Sequence, residues 1–242
     1  MRSRLVGILG GVGPMATVYF MEMLLKKTNA SKDQEHLDML VSNHATIPDR
    51  TAYILGKSEE SPLDVMVADA KMLEAAGCDF IVLPCNTAHY FFEKIQQSIH
   101  IPLLNIIQET VSYCERRIPG VKRIGIMATE GTICSNTYGM ACETHGLKCV
   151  VPESDIQSKV TEIIYHQVKA GKPVSKREFT AVIDALRKKG CDAVVLGCTE
   201  LSVAFADLNL QPECPDVVDS LTVLAEQTIL FAGKELKTPC EN

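Results

Sequence analysis

Short apolar runs alternate with longer amphipathic stretches along this chain, a pattern that predicts strand followed by helix, repeatedly. The first run, residues 5–9, leads through Gly10-Gly11-Val12-Gly13 into Pro14 and a helix reaching about residue 27. Pro14 suits a first helical turn, where a backbone N–H would have no partner. A second strand is predicted over 39–42, then a loop over 43–51. Ser61-Pro62-Leu63-Asp64 reads as a capped helix start, with Met66, Ala70 and Leu73 on its apolar face. A short strand ending near Leu83, a helix over 87–98 and a strand over 101–106 complete the first half. The pattern then restarts, residues 122–129 mirroring 4–9. A strand at 147–151 and helices at 155–170 and 176–189 follow. Gly171 ends the first helix, and Ser175 with Glu178 forms a capping box for the second. A further strand leads up to Cys198, another lies at 215–219, a last helix runs to about residue 231, and 234–242 read as a frayed tail. The whole is an α/β arrangement with parallel sheets.

The two halves share more than a rhythm. Gly77-Cys78-Asp79-Phe80-Ile81-Val82-Leu83-Pro84-Cys85 returns 113 residues later as Gly190-Cys191-Asp192-Ala193-Val194-Val195-Leu196-Gly197-Cys198, with Gly, Cys, Asp, Val, Leu and Cys unchanged. Two copies this far apart indicate a duplicated domain. Ligands of open parallel sheets bind outside the carboxyl ends of the strands. Cys85 and Cys198 fall at such ends, just before a predicted helix whose first N–H groups lack partners. That placement is expected to lower each thiol pKa from about 8.5 toward neutrality. Cys78 and Cys191 are duplicated too, but lie at the helix-to-strand end, so duplication alone nominates no catalytic residue. Two similar thiols facing one cleft suit one reaction well: removing a proton from one side of a carbon and returning it from the other.

Composition narrows the setting. With 46% apolar and 22% charged residues in 242, the chain reads as globular and large enough to bury its own core. Its net charge of −6 gives no footprint for nucleic acid. No apolar run approaches the roughly 18 residues of a membrane span. The apolar part of the N-terminus, about six residues, falls short of the ~7–15 of a signal peptide. A cytoplasmic location is expected, in which the ten cysteines are mostly small buried hydrophobes. No Cys-x-x-Cys occurs, and no metal site is expected. Gly11-x-Gly13-x-x-Ala16 after a strand does match a dinucleotide fingerprint, but the next strand ends in Ser42-Asn43 where an acidic residue would hold the ribose.

Four stretches form a more specific set: Gly7-Ile8-Leu9-Gly10-Gly11-Val12-Gly13-Pro14-Met15-Ala16-Thr17, Ile47-Pro48-Asp49-Arg50-Thr51-Ala52-Tyr53-Ile54-Leu55-Gly56, Pro84-Cys85-Asn86-Thr87-Ala88-His89 and Gly197-Cys198-Thr199-Glu200. On these, over nearly its whole length, the chain resembles the aspartate/glutamate racemase superfamily, most nearly the cofactor-independent aspartate racemase branch. True glutamate racemases typically carry His after Gly-Cys-Thr and Asp-Ser-Gly near the N-terminus; this chain has Glu200 and Gly-Gly-Val-Gly. The resemblance implies two flavodoxin-like three-layer domains related by a pseudo-twofold, an interdomain active site, no cofactor, an amino-acid substrate and a homodimer. The expected domains are 1–103 with 216–242, and 104–215. Cys85 and Cys198 are implied as the acid–base pair, and Arg50 and Lys169 as holders of an acidic substrate. Asn86, Thr87 and Thr199 are expected as donors to the substrate carboxylate, with Val12 and Thr129 as further substrate contacts.

Each residue also has a plainer reading. Arg50 would pair with a surface carboxylate, Lys169 would answer a helix macrodipole, and Asn86, Thr87 and Thr199 would be N-caps. His89, four residues after Cys85, invites a Cys–His pair. No orienting third group is evident, so a packed helix histidine is expected. Rival functions are a dinucleotide-dependent oxidoreductase, a glutamate or broad-specificity racemase, a related cysteine-dependent isomerase or decarboxylase, and a non-catalytic amino-acid sensor. Arylmalonate decarboxylase, with its single cysteine, and maleate isomerase, with a cysteine nucleophile, represent the cysteine-dependent group.

Overall fold

The computed structural model describes residues 4–238. Strands β1 (Val6–Gly10), β2 (Met39–Asn43), β3 (Phe80–Val82) and β4 (Leu103–Leu104) form one parallel sheet in the order β2-β1-β3-β4. Strands β5 (Arg123–Ala128), β6 (Lys148–Val150), β7 (Ala193–Gly197) and β8 (Val217–Asp219) form a second in the corresponding order β6-β5-β7-β8. The first half carries α1 (Pro14–Lys27), α2 (Arg50–Ile54), α3 (Leu63–Ala75), α4 (Phe92–Gln96) and α5 (Ile106–Arg117). The second carries α6 (Glu130–Cys134), α7 (Thr137–Thr144), α8 (Ser154–Thr161), α9 (Lys176–Lys188), α10 (Thr199–Asp207) and α11 (Ser220–Phe231). Each sheet reverses its strand order beside its first strand, and that switch point is where such sheets take ligands. Among the described residues no helix is long and apolar enough to cross a membrane.

The repeated Gly-Cys-Asp has an architectural cause. Gly77 (φ +89°) and Gly190 (φ +78°) reverse the chain after α3 and α9 in the left-handed region that glycine enters without cost. Cys78 Sγ packs so closely on Gly7 that a Cβ there would sit 3.1 Å away, and Cys191 does the same to Gly125 at 3.0 Å. Asp79 accepts a hydrogen bond from the Leu5 N–H at 2.7 Å. Asp192 accepts two, from Lys122 and Arg123, at 2.9 Å each. Both triplets therefore lock the start of the first strand of their own sheet. Burial pushes the Cys78 and Cys191 thiols up, as fits packing groups.

The halves are joined by a shared core. Phe20 of α1, Val111 of α5, Tyr138 of α7 and Leu224 of α11 belong to one buried cluster with Val6 and Phe80 of the first sheet and Ile124 and Val195 of the second. Separate clusters fill the outer layer of each half. Burial of this kind, about 25 cal/mol per Å² of apolar surface, couples the halves.

Several expectations are corrected. Of the segment 216–242, expected with the first domain, β8 pairs with β7 in the second sheet, while α11 packs on α1 and α5 of the first half. The tail is paired as far as the structure describes it: Lys237 donates to the Lys27 carbonyl at 2.7 Å, and Asn29 to that of Glu235 at 2.9 Å. Residues 239–242 lie outside the described residues. The strand expected over 101–106 is only β4, because Asn105 caps α5 by accepting from the Ile107 and Gln108 N–H groups at 3.0 and 3.2 Å. The helix expected over 87–98 is a 3-10 turn, Thr87–Phe91, followed by the short α4. The helix expected over 155–170 changes character after α8, continuing as a π-helical segment, Glu162–Val168.

Candidate active site

All nine residues singled out from sequence border one cavity. It lies between the carboxyl ends of the two sheets. Val12, Arg50, Cys85, Asn86 and Thr87 come from the first half, and Thr129, Lys169, Cys198 and Thr199 from the second. Four further lining residues were given no role from sequence: Asp49, Thr51, Tyr165 and Glu200. Glu200 carried a signal, as the residue at which the Gly-Cys-Thr motif departs from the glutamate racemase pattern. Tyr165 lies one helical turn before Lys169, and Asp49 and Thr51 flank Arg50.

The two thiols sit in different surroundings. Cys85 is 7% exposed and follows β3; its N–H bonds the Leu83 carbonyl at 2.8 Å. Its own carbonyl meets His89 Nδ1 at 2.8 Å, while His89 Nε2 accepts from the Ile106 N–H at 3.2 Å. Accepting at Nε2 fixes the neutral tautomer with its proton on Nδ1. Burial lowers the His89 pKa to about 4, which keeps the ring neutral. His89 is thus a packed structural group, as the plainer reading expected.

Cys198 is 5% exposed and stands at the N-cap position of α10. Its thiol donates to Glu200 Oε2 at 2.9 Å, and the Thr199 hydroxyl donates to the same oxygen at 3.2 Å. Here the expectation of a lowered thiol pKa is overturned. Burial first, and then the Glu200 charge, push Cys198 well above the ordinary thiol value, outweighing Lys169 and the backbone. Lys169 Nζ lies 3.7 Å from Glu200 Oε1 and 4.5 Å from the centroid of the Tyr165 ring. Burial works against its charge, but Glu200, Cys198, Tyr165 and Cys85 together hold its pKa above that of ordinary lysine. Lys169 thus turns toward the cavity and pairs there, which a lysine merely answering the helix macrodipole would not do.

The walls of the cavity are hydrogen-bonded across the two halves. The Thr87 hydroxyl lies 2.9 Å from those of both Thr129 and Thr132, and Thr129 lies 3.0 Å from Thr132. Thr129 also N-caps α6. Neither Asn86 nor Thr199 makes a side-chain capping bond. Arg50 Nη1 donates to the Ile47 and Pro48 carbonyls at 3.2 and 3.1 Å, its Nε is buried without a partner, and it forms no ion pair among the described residues. The surface-pair reading of Arg50 is therefore not realised. Just before Val12 the chain turns at Gly11 (φ +82°), where a Cβ would come within 2.3 Å of the His44 backbone. Only glycine lets β1 end so close to the neighbouring loop.

The cavity thus brings together a cysteine and a cation from each half with several hydroxyls, a set that fits an isomerase of the racemase type. The chain belongs to the Asp/Glu/Hydantoin racemase family, which it matches over residues 9–228. It is similar to the aspartate racemase of Picrophilus torridus, with 33% identity, a TM-score of 0.82, and coverage of 97% of this chain and 96% of that one. It is also similar to the broad specificity amino-acid racemase RacX of Bacillus subtilis (strain 168), 29% identical over 235 residues, which span 93% of this chain and 96% of that protein. The glutamate racemase of Francisella tularensis, in complex with D-glutamate, shares the fold at 18% identity and a TM-score of 0.63, over 96% of this chain and 82% of that one.

Proposed function

We propose that this chain is a cofactor-independent racemase of aspartate, with Cys85 and Cys198 as its acid and base. The observation that carries this reading is that both duplicated cysteines border the same cavity, each from the end of its own sheet. The α-hydrogen of an amino acid is scarcely acidic, and the neighbouring carboxylate makes a carbanion there harder to form. One thiolate takes the α-proton, forming S–H as C–H breaks, and the thiol opposite delivers its proton to the other face. The net charge is unchanged, with the thiolate now on the second sulfur. In the reverse direction the two exchange roles.

The surrounding groups support that chemistry. Glu200 accepts the Cys198 hydrogen bond and is placed to take its proton when Cys198 must act as base. Thr87, Thr129, Thr199 and Asn86 surround the cavity with donors set before reaction, as charge building on the substrate carboxylate requires. The unpartnered Arg50 Nε and the Lys169 ammonium suit an acidic side chain, the guanidinium by a two-pronged contact. Met15, Val18 and Leu25 expose an apolar strip on α1, which supports a homodimer.

The test is incubation with L-aspartate, L-glutamate and neutral amino acids in D₂O without pyridoxal phosphate. Deuterium at Cα with loss of optical activity, fastest for aspartate, is the expected result. Retained chirality without exchange would sink the proposal and favour an amino-acid sensor. Similarity to the broad-specificity relative favours a second reading, in which neutral amino acids react with kcat/KM within about tenfold of aspartate, a gap of about 1.4 kcal/mol.

A further inference from the structure

Asn86 sits next to Cys85 yet spends its side chain on the other half of the molecule. Its Nδ2 donates to Ser220 Oγ at 3.0 Å, and its Oδ1 accepts from the Tyr138 hydroxyl at 2.7 Å. Ser220 Oγ donates in turn to the Leu196 carbonyl at 2.6 Å, two residues before Cys198. All three side chains are essentially inaccessible to solvent.

The direction of every proton in this chain is forced. A carbonyl can only accept, so Ser220 must donate to Leu196 and can only accept from Asn86. Asn86 therefore turns its NH₂ toward Ser220 and its oxygen toward Tyr138. The reverse orientation would set two acceptors against each other 3.0 Å apart in a buried place. Tyr138 completes the arrangement. Burial raises its pKa far above the usual phenol value, so it stays a donor. The nearby Thr110 hydroxyl has given its own proton to the Ile106 carbonyl at 2.6 Å. The Asn86 oxygen is turned to Tyr138, and one N–H remains for the cavity that Asn86 borders.

We infer that Tyr138 and Ser220 are positioning residues that lock the orientation of the Asn86 amide, so that it offers the cavity an N–H for a carboxylate oxygen of the substrate. This rests on the racemase reading above and identifies the residues that hold Asn86 in its donor orientation. The same buried line, from the residue after Cys85 to the strand end before Cys198, also fixes the spacing of the two thiols.

The experiment compares aspartate α-hydrogen exchange and racemisation by wild type, Tyr138→Phe, Ser220→Ala, Asn86→Ala and the doubles Asn86→Ala/Tyr138→Phe and Asn86→Ala/Ser220→Ala, with thermal unfolding of each. Tyr138→Phe and Ser220→Ala are each expected to lower kcat/KM by about tenfold or more, the size of a lost hydrogen bond to a charged group. Added to Asn86→Ala, either is expected to change kcat/KM less than about twofold, because both act through the absent amide. Losses that multiply in the doubles would overturn the inference and show a merely structural role. So would single variants with undiminished kcat/KM. Either variant suffices if the other does not fold. A wild type that exchanges no amino acid would instead overturn the racemase reading itself, so the two failures are distinguishable.

Discussion

Glu200 is the residue at which the internal duplication breaks most consequentially. With the same offset of 113 residues it stands where the first half has Thr87, whose hydroxyl bonds Thr129 and Thr132, whereas Glu200 accepts from the Cys198 thiol. Removing that charge by Glu200→Gln leaves burial as the main force raising the Cys198 pKa, and the pKa should fall. Alkylation of the Cys198 peptide by iodoacetamide, followed by mass spectrometry across pH, is therefore expected to begin at lower pH in the variant. An onset that stays put or moves upward would contradict the assignment. Because two enantiomers have equal free energy, the inequality of the thiols can show only in kcat and KM separately, never in kcat/KM. Arg50→Lys keeps the charge but loses the fork. It should raise KM for aspartate while leaving that for neutral amino acids nearly unchanged, which steady-state kinetics on both substrates would check.

His89 shows what a residue-level reading can and cannot supply. Its spacing from Cys85 was visible in the sequence, but its partner, the Ile106 N–H, lies across the end of β4 and could not be read. Its pKa is lowered from 6.5 to about 4 in the fold, so the unfolded chain binds a proton that the folded one refuses. Stability from this group is complete above about pH 6.5 and is lost as pH falls toward 4, by an amount on the order of 3 kcal/mol. His89→Gln should flatten that part of the stability curve, read from urea unfolding at pH 7 and pH 4.5. An equally steep acid loss in the variant would contradict it.

At the scale of elements, the strand–helix alternation and the second-half helices were legible because period, caps and glycines agreed. Ser175 caps α9 and Gly171 turns the chain at φ +66°, as read. What escaped were elements whose cause is tertiary. The start of helix α5 was absorbed into the apolar run at 101–106 that reads as strand, although Ile106, Ile107, Thr110, Val111 and Cys114 recur at helical spacing on its buried face. The π-helical segment that carries Tyr165 toward the cavity has no sequence signature, although such segments often mark functional sites. The contact of α2 with α6 was equally invisible. There a Cβ added at Gly131 would meet Thr51 Oγ1 at 2.9 Å, Thr51 Cα at 3.0 Å and Thr87 Cγ2 at 3.1 Å. Gly131→Ala should force the two cavity walls apart, costing about 1–3 kcal/mol and lowering kcat. Thermal unfolding and turnover measured together would test it, and an unaffected kcat would show that the wall spacing is not set here.

For the whole molecule, the site was more legible than the topology around it. The strand-end position of each repeated cysteine is local information, so residues of both cavity walls could be named from it, whereas the expected domain boundary at 215/216 parted β8 from its neighbour β7. The sign of the Cys198 shift was not local, since it depends on burial between two halves and on Glu200 folding back on the thiol. The central claim is that two sulfurs from equivalent halves work on one carbon from opposite faces. Its most direct test is racemisation and α-deuterium exchange of L- and D-aspartate by Cys85→Ser and Cys198→Ser, each checked for a native circular dichroism spectrum. Both variants are expected to lose racemisation of both enantiomers while remaining folded. Racemisation at the wild-type rate in either one would contradict the account.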